Sequence, residues 1–172
     1  SIGFFIIIIV ALILSGYFLF LPYYQSWKIG YDWKKFENEF NKFLKEDKYG
    51  GKTLEETYNA FVEVLKKGDL DTAVKYFHWS APDNEIVSLQ KLKNEGKLEE
   101  YANTFPKWED LKEEEYWDKD GRKYSWKYIK REDETFYDEL LNRERTIPAG
   151  EYEGEIIFQL NKQANIWKIY SL

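Results

Sequence analysis

The sequence predicts an α+β protein in which a long N-terminal helix precedes a helical segment and an antiparallel β-sheet head. Three observations predict it. The stretch Ser1–Leu21 is uncharged and apolar, and the first charge is Lys28. Apolar residues then recur at helical spacing as far as residue 104. After Gly121 the period drops to two, as in strands with one buried face.

The first element is read from SIGFFIIIIVALILSGYFLFLPYYQSW. As a helix, Ser1–Leu21 would rise about 31 Å, which matches a hydrocarbon core of about 30 Å. Ile6 to Val10 are β-branched and form helices poorly in water, but in lipid the backbone must bond to itself, so helix is the available choice. Tyr17, Tyr23, Tyr24 and Trp27 place the membrane interface near residues 23–27. Pro22 is expected to bend the helix without ending it. Beyond it Phe20, Tyr24, Trp27, Tyr31, Phe36, Phe40, Phe43 and Leu44 read as one helical stripe, with the helix running to about Tyr49 and closing at Gly50 and Gly51.

The chain contains no methionine and no cysteine. The first fact points to a processed or edited terminus whose leader is missing. A cleaved secretory signal would have taken the apolar run with it, and a lipoprotein would begin with cysteine. Two routes stay open, cleavage between a short basic leader and the apolar stretch, or an ordinary signal anchor.

Three segments follow, namely a transmembrane or filament-core helix over 1–27, its amphipathic continuation over 28–52, and a head over 53–172. The 25 basic and 31 acidic residues all lie from Lys28 onward, for a net charge of −6. The acidic excess and the lack of a basic stripe argue against nucleic acid as a partner. Without cysteine there is no disulfide framework, so the head relies on its core and on a chain rich in aromatics, with 7 Trp, 14 Tyr and 12 Phe.

Within the head, Thr53 and Glu56 form a capping box that starts a helix with Leu54, Tyr58, Phe61 and Leu65 on one face and Gly68 at its end. Asp69 restarts a short helix with Leu70, Ala73, Val74 and Phe77 inward. Asp83 is expected to cap a third, carrying Ile86, Leu89 and Leu92 as far as Gly96. Lys97–Thr104 is a further short helical stretch, ended by Pro106. Tyr124, Trp126 and Tyr128 alternate in one strand, Ile156, Phe158 and Leu160 in another, and Trp167 and Ile169 in the last. Phe136–Leu141 is read as one more.

Chemistry is sparse. His78 is the only histidine, and a common zinc site would need several His or Cys ligands. A packing or surface role is expected for it. Glu113, Glu114 and Glu115, with Asp118 and Asp120, lack the ligand order of a calcium loop and read as a solvated acidic face. No phosphate loop, dinucleotide turn or nucleophile elbow occurs. The reading is therefore of a protein that is not an enzyme and carries no cofactor or metal. Trp108, Tyr116, Trp117, Tyr124, Trp126, Tyr128, Phe136 and Tyr137 can be core or interface, with core favoured.

The N-terminal register adds a resemblance. An uncharged apolar helix from residue 1, with Leu21-Pro22-Tyr23-Tyr24-Gln25 at its end and a long amphipathic continuation, resembles a type IV pilin over about the first 50 residues. The resemblance implies cleavage of a basic leader before Ser1, the processing site, and export through the membrane. The chain would then assemble with copies of itself into a filament at the cell surface. Ser1, Phe4, Phe5, Ile8, Ile9, Leu12, Ser15, Gly16, Phe20, Pro22 and Tyr24 would exchange membrane lipid for neighbouring helices, with Ser15 and Gly16 permitting close approach. The family usually has glutamate at the fifth position to pair with a neighbour's terminal amine. Phe5 stands here, so the Ser1 amine is expected to bond neutral acceptors. The head, through TYNAFVEVLKKGDLDTAVKYF and the closing IWKIYSL, resembles the nuclear-transport-factor-2-like or cystatin-like cone. The alternative is a single-pass anchor carrying an extracytoplasmic ligand- or partner-binding domain.

Overall fold

In a computed structural model the backbone is described for residues 2–138 and 142–172, and the side chains for 22–135 and 142–172. The architecture is α+β, with helices preceding an antiparallel sheet. The chain divides into two units, Ser1–Glu46 and Asp47–Leu172.

The first unit is helix α1, Ile2–Glu46, which continues through Pro22. Proline removes one hydrogen bond from the ladder, a local loss that the turns on either side tolerate. The helix ends at Glu46 instead of near Tyr49. The Asp47 carboxylate accepts from the backbone N–H of Tyr49 at 3.0 Å, a local bond that competes with helix continuation. Among the described residues no helix is long and apolar enough to cross a membrane; the side chains of residues 1–21, on which the span was expected, lie outside them.

The head begins with α2, Leu54–Lys66, and its capping box forms as the sequence predicts. The Glu56 N–H donates to Thr53 Oγ1 at 3.1 Å, and Glu56 Oε2 accepts from the N–H groups of Thr53 at 3.2 Å and Lys52 at 2.7 Å. At the other end Gly68 has φ +70°. Its N–H donates to the Leu65 carbonyl and that of Asp69 to the Val64 carbonyl, the paired bonds of a Schellman turn. Gly96 repeats this arrangement after α4, Asp83–Asn94. Between them lies the short helix α3, Leu70–Ala73, whose N-cap Asp69 accepts from the Thr72 N–H. Asp83 is the first residue of α4 and not its cap. Pro82 occupies the N-cap position without a side-chain bond, since proline suits the extended entry. Helix α5, Leu98–Ala102, completes the set.

Strands β1, Lys112–Glu114, β2, Gly121–Lys130, β5, Gly150–Asn161, and β6, Ile166–Ser171, form one antiparallel sheet in the order β1-β2-β5-β6. Strands β3, Glu134–Asp138, and β4, Arg143–Ile147, pair separately as a hairpin inserted between β2 and β5. The expected strand Phe136–Leu141 overlaps β3, which begins two residues earlier at Glu134; residues 139–141, and the side chains of 136–141, lie outside the described residues. The β1 and β4 strands, KEE and RERTI, were not expected because neither alternates. Glu134 receives bonds from Lys130 and, at 2.7 Å, from Lys97. These two ammonium groups hold its carboxyl down at about 2 and tie the hairpin's base to the start of α5.

The core lies between the helices and one face of the sheet. Tyr58, Phe61 and Leu65 are buried, as α2's periodicity requires, together with Leu70, Ala73, Phe77, Leu89, Leu98 and Phe105. The sheet supplies Tyr124, Trp126, Ile156, Phe158 and Ile169. Burial pushes the Tyr58 phenol well above its ordinary range, and its hydroxyl donates to the Pro106 carbonyl at 2.8 Å. The free edge of β6 is covered by isolated bridges from Gly51 and Phe77, which blunts an edge that could otherwise recruit another strand.

Trp126 sits opposite Gly154 in the β2–β5 register, and its ring lies across the glycine. A Cβ on Gly154 would stand 2.5 Å from Trp126 Cε2 and Cζ2. Gly154→Ala is therefore expected to force the indole aside and lower the unfolding free energy by about 1–3 kcal/mol, read from a urea titration followed by tryptophan fluorescence. An unchanged midpoint would show that the ring shifts freely.

Candidate assembly surface

The described part of α1 mixes good helix formers, Lys, Glu and Leu, with poorer ones, the aromatics, Gly30 and Pro22. It is braced by exposed pairs one turn apart, Lys35–Glu39 and Lys42–Glu46, each at 3.9 Å. Such pairs contribute only about 0.3–0.5 kcal/mol each. What distinguishes this helix is its aromatic surface. Tyr23, Trp27, Tyr31, Trp33, Phe36 and Phe43 are between 56% and 72% exposed, and Ile29 is 69% exposed. Large apolar patches of this kind mark interaction sites.

The aromatics do not form the single stripe expected from their spacing. Ring contacts join Tyr24 to Trp27 and Trp27 to Tyr31, the latter stacked at 5.7 Å. A second run joins Trp33, Phe36, Phe40 and Phe43, with Phe36 and Phe40 stacked at 5.8 Å. The step of five from Tyr31 to Phe36 turns the helix by about 140°, because 3.6 residues make one turn. The surface therefore comprises two runs on opposite faces. Beside the second run, Ile29, Asp32, Trp33 and Phe36 line an open concavity of about 410 Å³.

Of the residues assigned to filament packing from the sequence, Pro22 and Tyr24 fall on this described surface, within α1 and in the first run respectively. Ser1, Phe4, Phe5, Ile8, Ile9, Leu12, Ser15, Gly16 and Phe20 lie outside the described side chains. The second run, centred on Trp33 and Phe36, was not singled out as a separate face. Plotting the spacing beyond Tyr31 on a helical wheel would have found it.

In the head, His78 is half-buried. Its Nδ1 lies 2.8 Å from Ser80 Oγ and accepts from the Ser80 N–H at 3.3 Å. Burial, followed by the charge of Lys168, pushes the imidazole down to about 4, with Asp47 opposing. A base that weak, with its Nδ1 turned to a serine, suits packing better than proton transfer. Lys168 itself is buried in β6, where its ammonium donates to Asp47 Oδ2 and to the Lys75 carbonyl, both at 2.6 Å. Nothing in the local sequence signals this pair.

Most of the acidic run is partnered, Asp118 by Gln159 and Asp120 by Lys162 among them. Glu114 accepts from Lys112 and Ser125, both at 2.9 Å, and Glu113 lies 3.9 Å from Arg122. Among the described residues no group of three or more carboxylate, histidine or cysteine ligands is placed to hold a metal. Of the aromatic run, Tyr124 and Trp126 are core, Trp108 and Tyr128 pack against it, and Trp117 is 87% exposed. The side chains of Phe136 and Tyr137 lie outside the described residues. A concavity of about 240 Å³ lined by Asn84, Glu85, Ser88, Leu89, Leu92, Tyr101 and Leu172 is smaller than the roughly 300–1,000 Å³ of ligand pockets. The space between helices and sheet is filled by Phe61, Phe105, Trp126 and Phe158.

No protein family, curated protein or solved structure matches this chain.

Proposed function

We propose that this protein is a structural subunit of a type IV pilin-like filament, assembled through its N-terminal helix and displayed at the cell surface, with no catalysis of its own. The observation that carries the reading is the exposure of Trp27, Tyr31, Trp33 and Phe36 on a helix that continues the apolar run Ser1–Leu21. Indole and phenyl rings left in water on both sides of one helix favour association, because their burial is the main favourable term in assembly. Membrane lipid would hold the apolar run before assembly, and neighbouring copies would replace it afterwards. The head, α2 packed on a four-stranded antiparallel sheet, is compatible with a cone of the nuclear-transport-factor-2-like type. In this reading it serves as an outward module.

Electron micrographs of the full-length chain, expressed with its export machinery, test the reading. Filaments are expected. Trp33→Glu with Phe36→Glu is expected to abolish them while leaving the head's thermal unfolding unchanged, because both residues lie in the separate unit Ser1–Glu46. A monomeric, detergent-soluble native chain would favour a membrane-anchored domain instead.

A further inference from the structure

The two aromatic runs of α1 lie on opposite faces, and their flanking charges are matched. At about 100° per residue, Tyr24, Trp27 and Tyr31 fall within about 60° of one another, and Trp33, Phe36 and Phe43 lie roughly half a turn away. Lys28 and Lys35 flank the first run, seven residues apart. Glu39 and Glu46 flank the second on the same side of the helix, also seven apart.

We infer that the two runs are complementary halves of one head-to-tail contact between parallel copies of this chain, with the first run of one copy seated on the second run of the next. This contact rests on the filament reading and specifies its register. An axial offset of eleven residues, roughly 16 Å at about 1.5 Å per residue, aligns Lys28 with Glu39 and Lys35 with Glu46 at once. The same offset sets Tyr24, Trp27 and Tyr31 level with positions 35, 38 and 42. They then drop between Phe36, Phe40 and Phe43, as ridges drop into grooves. Glu39 and Glu46 are 70% and 65% exposed, and their bonds within the helix are long at 3.9 Å, so each can accept a neighbour's lysine.

Area decides between a closed pair and an open chain. Each run leaves in water the equivalent of about two whole aromatic side chains, roughly 300–500 Å² at about 150–250 Å² per ring. A stable interface needs about 800 Å² per partner. A single contact of run on run falls short of that, and a copy buries both runs, roughly 600–1,000 Å² at about 150–250 Å² per ring, only when it makes two contacts. A two-fold dimer can bury only one of two opposed faces, whereas a head-to-tail contact uses both and propagates without closing.

The chain has no cysteine, so introduced thiols report the contact without background. In the full-length chain, the double variant Lys28→Cys with Glu39→Cys, oxidised with diamide, is expected to give a ladder of covalent dimers, trimers and higher species. Each single variant should give none beyond dimer, and Lys28→Cys with Glu46→Cys, seven residues out of register, should give no ladder. Ladders of equal strength in both double variants would overturn the register. Glu39→Cys alone dimerising as fully as the double variant would overturn the head-to-tail arrangement. Filaments in micrographs without the 28–39 ladder would overturn this contact and leave the filament reading standing. The ladder without filaments would support the contact and count against the filament. Absence of both would remove both.

Discussion

Asp47→Ala is expected to lower the head's unfolding free energy by about 3–5 kcal/mol, the usual result of removing one partner from a buried ion pair. The Lys168 side chain is 3% exposed and Asp47 14%, so the variant leaves an ammonium buried with only the Lys75 carbonyl to accept from it. Lys168→Met should cost less, because the carboxylate it leaves behind lies nearer water and methionine fills similar volume. The pH dependence separates this account from lost packing. Burial lowers the Lys168 pKa below its ordinary value, and its bond to Asp47 opposes the shift. With Asp47 gone the depression deepens. Below the ordinary lysine value near 10.4, the unfolded chain then holds a proton that the folded chain has released, and stability rises with pH wherever the unfolded state binds more protons. The deficit of Asp47→Ala should thus narrow as pH climbs from 7 toward 10, in urea titrations run beside the native chain. A deficit independent of pH would assign the loss to packing. His78 acts in the same direction in acid. Its pKa is depressed to about 4, so stability is expected to fall as pH drops from about 6.5 toward that value.

The legible parts of this fold are those that local chemistry settles. The Thr53–Glu56 box, the glycines at 68 and 96 and the Tyr124–Trp126–Tyr128 alternation each state a backbone requirement that one residue type meets, and each is found where the sequence places it. The charged strands β1 and β4 could not be read, because KEE and RERTI hold their place by pairing with β2 and β3 and not by burying a face of their own. The Asp47–Lys168 pair escaped for a related reason. A lysine between Trp167 and Ile169 alternates outward on the strand pattern, and it is enclosed by chain segments far from it in sequence, Asp47 and Gly50 on one side and the Lys75 carbonyl on the other. On α1 the structure differs from the pattern in phase. Three-to-four spacing predicts one stripe, but the step of five after Tyr31 carries it to the other face. The difference matters for assembly, since one stripe suggests a closed pair and two opposed stripes suggest a chain of copies.

Phe61→Ala is expected to cost about 3–5 kcal/mol, the range for truncating a fully buried aromatic. Phe61 has no exposed surface and meets the rings of Tyr76 at 6.3 Å, Phe77 at 5.8 Å and Phe105 at 6.3 Å, the last two edge-on. Its removal therefore opens a cavity and also breaks contacts that join α2 to the segment after α3 and to the loop before β1. Tyr76 and Phe77 belong to one segment and Phe105 to another, with no hydrogen-bond ladder between the two, so backbone pairing cannot hold them together once the centre is gone. Phe61→Leu, which refills most of the volume but restores no ring contacts, should recover more than half of the loss. Domains of this size are stable by about 5–15 kcal/mol in total. The alanine variant should consequently melt at least 10 °C lower, taking roughly 4 °C per kcal/mol for a domain somewhat above 100 residues, as followed by near-ultraviolet dichroism. The assembly surface lies in the other unit, Ser1–Glu46, and its aromatic runs owe nothing to Phe61. Below the new melting point, the 28–39 cross-linking ladder should persist in a Phe61→Ala background at native strength. A ladder lost at temperatures where the head remains folded would mean that the head supplies part of the contact between copies, and the helix could no longer be treated as the sole organiser of the assembly.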